Sequence, residues 1–500
     1  MHSPKAVCRI NVHNKKKEKL FMDATFYIGL AGLIIAIVLL IIMAYKGVNV
    51  FVFTIVAGLV VCLTNMWSPY AYSEALGVNL MNPIVSIGTL YMKGFCGYFE
   101  GYFLLMLFSV FFARMMADCG ACEVITTCIL KVVKRFKTPL SRSFALLVAL
   151  GVVQALLQAG GINPLVSIFV VVGFAIDCCK KMDLPWRLAY LSCWGSSSPI
   201  ACFIPGSPFS NNLIPAEFFG STPGAMPVVT LISLVVGIAL CILYTYLVLK
   251  KEVPAFTASG EGFYPSGERV IAIYGEQDKG GEEKPFSKLI WPLILAIIPS
   301  VTIFVALNVF GIPAWLCMLI GCFFVWITHC VSYKPKAIYK SFTSSVMPSL
   351  DLTAAVGALV GFGIIVQYSP SYNVINALLI GAVNASAGTS MFATLWILVG
   401  VTSVACGITA SATGGLQAIV QPLAPALLNT GINPGILHRV TTMTTGIFDS
   451  LPHSSAIING FKVFGVDHKM CYKYVFVETV LITLVMTAVA VVLFSVGMAI

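Results

Sequence analysis

Charge is what this sequence has least of. Only 10% of its 500 residues are Asp, Glu, Lys or Arg, against 58% hydrophobic, where soluble domains carry roughly a quarter charged residues. An ordinary water-facing surface is excluded, and most of the chain belongs in a membrane, consistent with a mean hydropathy of +0.93. Acidic groups are scarcer still, 20 against 30 basic ones. In a polytopic protein such an excess marks cytoplasmic loops rather than acidic partners, so nucleic acid is not an expected ligand. P-loop, dinucleotide, zinc-protease and nucleophile-elbow motifs are missing in any supporting context, which argues against ATP-driven pumping within this chain. The 16 Cys sit mostly inside apolar runs as small hydrophobes, without a second cluster or histidine at ligand spacing, so no metal or cofactor is expected.

What is present is apolar sequence in many segments. At about 20 residues per crossing, the chain could supply on the order of ten to fourteen spans. Basic clusters at Lys15–Lys19, at Lys131–Arg142 and at Lys334–Lys340 place those connections on the cytoplasmic side. The run from Phe26 to Tyr45 reads as a first span rather than a cleaved leader, because hydrophobic segments simply continue after it. Residues 1–24 read as a cytoplasmic tail, with Met22 an alternative start. A polar stretch at 251–287 then separates two hydropathic halves, 25–250 and 288–500.

The interruptions inside the apolar segments carry the information. Gly160, Gly161, Asn163 and Pro164 divide one apolar segment into pieces that read as too short to cross alone; Ser411, Thr413, Gly414 and Gly415 divide another in the second half. Each is followed at a comparable distance by a second polar, Pro-containing string, 194–215 and 441–460. Upstream, 111–130 corresponds loosely with 359–381. Gly and Pro leave backbone groups without helical partners, tolerable at hydrocarbon depth only where protein, substrate or water satisfies them. Gly and Pro also serve close packing in membrane helices. Breaks arranged as matching pairs point instead to an internal duplication and to a secondary transporter with discontinuous helices.

On that reading Gly161, Asn163, Ser196, Ser207, Asn211, Asn212, Ser411, Thr413, Ser450, Ser454 and Ser455 are the candidate substrate-binding residues, since small hydroxyls and amides can hold a carboxylate or hydroxyl. Helix–helix hydroxyl contacts are the alternative for each taken singly. Asp449 and His453 are the candidates for proton coupling, because an ionisable group inside a membrane is costly and usually functional. Asp118, Glu123, Glu100 and Asp351 are weaker candidates. Arg187 and Arg439 precede the two polar strings, as anion-attracting groups or as positive-inside anchors. An enzyme would have to use Asp449 and His453 without a nucleophile, so none is expected.

The segment ARMMADCGACEVITTCILK (113–131) resembles a pattern of the gluconate permease family of the ion transporter superfamily. FIPGSPFSNNLIPAEFFGSTPGAMP (203–227) and GIFDSLPHSSAIINGFKVFGVDHKMCYK (446–473) are similar to its D-beta-hydroxybutyrate permease-like branch. The similarity touches both halves. It implies an all-α polytopic fold of two inverted repeats with re-entrant hairpins and discontinuous helices, a scaffold plus a transport domain, and a likeness to homodimeric carriers of the bacterial inner membrane that move by elevator-like displacement. It further implies symport of a small organic acid anion with H+, with 3-hydroxybutyrate or a similar short monocarboxylate favoured by the absence of the histidine-containing gluconate form at 205–208. Gluconate or another sugar acid, a Na+-coupled dicarboxylate carrier, and an uncoupled channel or structural membrane protein remain the alternatives. Membrane lipids are the other expected partner.

Overall fold

The computed structural model describes residues 24–73, 77–159, 164–195, 203–207, 209–274, 288–308, 310–330, 333–386 and 390–499. Apart from a two-residue antiparallel pairing of β1 (Tyr72–Ser73) with β2 (Val78–Asn79), the described chain is helical or turn. In order, the first half holds α1 (Ala24–Tyr45), α2 (Val50–Asn65), α3 (Pro83–Asp118), α4 (Ala121–Val133), the pair α5 (Pro139–Ala159) and α6 (Pro164–Lys181), then α7 (187–195), α8 (Ser210–Phe219) and α9 (Pro227–Ser259). A short α10 (Glu268–Tyr274) follows. The second half holds α11 (Ile290–Asn308), α12 (Ala314–His329), α13 (Pro335–Gln367), α14 (Pro370–Ser386), the pair α15 (Met391–Thr409) and α16 (412–428), then α17 (Pro434–Phe448), α18 (Ser455–Phe464) and α19 (His468–Ser495).

Local sequence sets these boundaries. Asn49, Ser390, Ser454 and Asp467 accept backbone amides at the starts of α2, α15, α18 and α19, and Asn82–Pro83 and Asn433–Pro434 start α3 and α17 with a capping amide before proline. Gly220, Gly260 and Gly465 end α8, α9 and α18 in the left-handed conformation, where a side chain would be strained.

Seven of the described helices are long and apolar enough to cross a membrane, and the protein is an all-α, multi-pass membrane protein. Side chains such as Val38 on α1, Leu243 on α9 and Phe323 on α12 are about half exposed at 47%, 52% and 52%. Such a surface suits acyl chains rather than water.

The two halves repeat one order of elements and exchange partners. α1 packs on α14, while α11 packs on α4; α2 packs on α13, while α12 packs on α3. α3 and α13 run antiparallel along one another. Gly94 meets Gly361 at one end, Ser349 meets Met106 midway, and Ser341 Oγ donates to Asp118 at the other. A Cβ on Gly94 would lie 2.8 Å from the Gly361 Cα, so small residues set this close crossing. The buried apolar residues form two clusters. One joins α3, α4, α5, α6, α7 and α18; the other joins α1, α2, α13, α15, α16 and α17. Each therefore draws on both halves of the sequence.

Two sequence expectations read differently in three dimensions. The arms α5, of 21 residues, and α15, of 19, are long and apolar enough to cross. The 251–287 stretch is ordered over its first part. α9 runs on to Ser259, Phe263 and Val270 are buried, and Ser266 Oγ accepts the Trp186 amide at 2.8 Å. Residues 275–287 lie outside the described residues.

Candidate functional site

The second half brings a hairpin tip against a helix break. α15 ends at Ala410, which takes the left-handed conformation at φ 52° without being glycine, and Ser411 follows in extended backbone and caps α16 through Gly414 N–H at 3.2 Å. A left-handed alanine stores local strain, a feature that clusters at functional sites. The arms touch directly behind this turn. A Cβ on Gly415 would fall 2.6 Å from the Cys406 nitrogen.

The break between α17 and α18 closes onto that tip. Ser455 donates both its backbone N–H and its hydroxyl to the Ala410 carbonyl, each at 3.1 Å. His453 is fully buried and its Nε2 bonds the Gly407 carbonyl at 2.8 Å, while its Nδ1 has no partner. Asp449 closes the C-terminus of α17; its carboxylate accepts the Ser454 hydroxyl at 3.0 Å and meets the Ala412 amide. The Ala412 amide at the start of α16 and the Ser454 hydroxyl that caps α18 thus meet on one carboxylate, and a helix start favours an anion beside it. The same donors could hold the carboxylate of a bound acid.

Most second-half candidates gather here: Ser411, Asp449, His453, Ser454 and Ser455, with Thr413 half-buried on the first turn of α16. Ser450 is turned away in part, its hydroxyl donating to the Gly446 carbonyl at 2.7 Å. Asn459, one turn into α18, is fully buried with both amide atoms unpartnered.

The first half holds the matching arrangement, α5 and α6 followed by the interrupted α7 and α8. The two discontinuous helices cross by halves. Tyr190 and Trp194 of α7 pack on Phe461 and Gly460 of α18, while α8 packs on α17. Gly161, Asn163 and Ser196 lie outside the described residues. Ser207 is buried in the turn before α8, and Asn211 is half-buried on α8.

Asn212 is committed to the protein itself. Its Nδ2 donates to the Ser207 and Pro223 carbonyls at 2.7 and 3.1 Å, and its Oδ1 accepts Arg439 Nη1 at 2.6 Å. His438 Nε2 lies 3.0 Å from both Asn212 oxygens, and Arg439 Nε donates to the Thr230 hydroxyl at 3.2 Å. Arg439 is fully buried, and among the described residues no carboxylate pairs with it. Asn212, His438 and Arg439 therefore tie α8, α9 and α17 together. Arg187 instead binds Glu261 and, at 3.0 Å, Glu252, which also takes Lys473 at 3.0 Å. That network joins α7, α9 and α19.

Among the buried ionisable residues that the sequence did not single out is Glu478. Glu478 lies in a π-helical stretch of α19, is fully buried, and neither carboxylate oxygen has a hydrogen-bond partner. Its only local signal is a single carboxylate inside the apolar run 474–499. Among the described residues, no group of three or more His, Cys, Asp or Glu could hold a metal ion.

No family model matches the chain. It is similar to a protein of Bacillus subtilis (strain 168) described as an uncharacterized transporter, YxjC, at 25% identity over 91% of this chain and 97% of the relative. Among solved structures, it aligns with the Alcanivorax borkumensis YdaH transporter, described as having an unusual topology. That alignment has 14% identity and a TM-score of 0.37, over 89% of this chain and 97% of the other.

Proposed function

We propose that this protein is a secondary active transporter of the bacterial inner membrane that carries a small organic acid anion, 3-hydroxybutyrate or a similar short monocarboxylate, together with H+. The observation that carries the reading is the junction of the α15–α16 tip with the α17–α18 break. There two helix N-termini, small hydroxyls and Asp449 converge. Broken helices whose ends face one another in a membrane are the arrangement by which secondary transporters bind substrate and coupling ion. The full-length similarity to a bacterial transporter and the motif resemblance to the gluconate permease family support the same class.

Inverted repeats are supported by the antiparallel pairing of α3 with α13 and by the half-for-half crossing of the two discontinuous helices. Symmetry mates that run in opposite directions are what an inverted duplication produces. On this reading α5–α6 and α15–α16 are re-entrant hairpins that travel with the discontinuous helices as a transport domain, against a scaffold that includes α3 and α13 in a homodimer. The Ser411, Thr413, Ser454 and Ser455 groups hold the anion, and Asp449 with His453 couples its movement to protons.

Counterflow by purified protein in liposomes, offered 3-hydroxybutyrate, gluconate, lactate and citrate in turn, tests the substrate class. Exchange of 3-hydroxybutyrate or lactate is expected. Preference for gluconate or citrate moves the reading to a sugar-acid or dicarboxylate carrier, and uptake indifferent to both pH and Na+ gradients removes coupled transport. Asp449→Asn is expected to lower the number of protons moved per substrate; an unchanged ratio removes Asp449 from coupling.

A further inference from the structure

The break on α17–α18 contains its own carboxylate, Asp449, whereas the corresponding string 194–215 in the first half contains no acidic or basic residue. α19 supplies what that string lacks. A Cβ built on Gly195, the last described residue of α7 before the break, would lie 1.8 Å from Glu478 Oε2. The Glu478 carboxyl therefore occupies the space that a side chain at 195 would take, at the C-terminal end of α7.

Among the described residues, no cation pairs with it and no hydrogen-bond donor reaches it. Both oxygens lack partners, as does the neighbouring Tyr190 hydroxyl. The titratable groups that face it are Tyr190 of α7 and Cys241 and Tyr244 of α9. α17 also packs against this stretch, but its His438 and Arg439 bond Asn212, Ser221 and Thr230. On α19 itself, Lys473 is paired with Glu252. An ionised carboxylate with no partner at this depth costs several kcal/mol, so the group holds a proton while the site stays dry. Cys241 also lines an apolar cavity of about 410 Å³ bordered by Ser192 and Pro205 at the same break.

We propose that Glu478, set against Gly195 at the end of α7, is a second proton site, distinct from Asp449 at the α17–α18 break. The carboxylate takes a proton from water when the space beside Gly195 is hydrated from one side of the membrane, forming the neutral acid. It carries that proton as the neutral acid while it is shut off from water and returns it as H+ to water on the other side, regenerating the carboxylate. The inference rests on the transport reading and adds one proton to each cycle.

The test pairs flux with labelling. In liposomes, using whichever of 3-hydroxybutyrate, lactate, gluconate or citrate the unaltered protein exchanges, Glu478→Gln is expected to move one proton fewer per substrate molecule. Its limiting accumulation then falls about tenfold for each pH unit of imposed gradient, the tenfold being the 1.4 kcal/mol that one proton contributes. An unchanged ratio overturns the proposal. The unaltered protein gives an independent reading through an apolar carbodiimide, which modifies protonated carboxyls from within the membrane, with the modified residues identified by mass spectrometry. Modification of Glu478 that declines as pH rises supports the proposal; Glu478 left unmodified while Asp449 is modified overturns it. Should none of the four acids exchange, the transport reading fails while the labelling still decides whether Glu478 takes up a proton.

Discussion

Removing the Asn212 side chain takes away the oxygen that receives Arg439 Nη1 at 2.6 Å and lies beside His438. A buried guanidinium left short of an acceptor keeps its desolvation cost, so Asn212→Ala is expected to destabilise the protein by about 2–3 kcal/mol. The readout is a lower unfolding temperature in detergent; an unshifted transition would contradict the clamp. At this scale the sequence was readable where polar residues crowd together. The string around Asp449 announced itself through several hydroxyls, a proline and a carboxylate in succession. Glu478 had no such company, since what marks it is Gly195, nearly three hundred positions away, and that proximity exists only after folding. The hydrogen bonds that commit Asn212 to Arg439 are invisible for the same reason. Amides that could bind a substrate and amides that bind a neighbouring helix have the same composition.

The α15–α16 hairpin shows what an element adds to its residues. Its two arms press together where Gly415 meets the Cys406 backbone, with 2.6 Å available for a Cβ, while Gly400 on the same α15 has nothing within 4 Å of the corresponding position. Backbone cannot move aside as the end of a flexible side chain can. Gly415→Ala is therefore expected to splay the arms, pull Ala410 away from Ser455 and abolish counterflow, whereas Gly400→Ala leaves counterflow within twofold of the unaltered protein. Equal effects of the two substitutions would show that arm contact does not position the tip. An interruption around Ser411–Gly415 could be read from the string of small residues in CGITASATGG, but not that the chain turns at Ala410 and Ser411. The length of the hairpin's arms could not be read either, because hydropathy fades at helix ends while backbone hydrogen bonding continues through Ser, Thr and Gly.

For the whole molecule the question is which parts move together. The order of elements could be traced twice along the sequence by matching interruptions, but the exchange of partners between halves could not, since α1 against α14 and α11 against α4 are contacts between faces that all read as apolar. That exchange brings α18 alongside α13, where Lys462 Nζ lies 3.7 Å from Asp351 Oδ2. Asp351 is largely exposed, so the pair contributes little to stability but serves as a position marker between the proposed transport domain and scaffold. If α18 travels past α13 in each cycle, this distance must open and close. With the native cysteines replaced, Asp351→Cys combined with Lys462→Cys is expected to form a disulfide under mild oxidation, to stop net uptake while it persists, and to release uptake on reduction. Each single cysteine should leave uptake insensitive to oxidant. Full uptake by the oxidised, quantitatively cross-linked protein would mean that α13 and α18 move as one body, and the boundary between moving and fixed parts would then have to lie elsewhere.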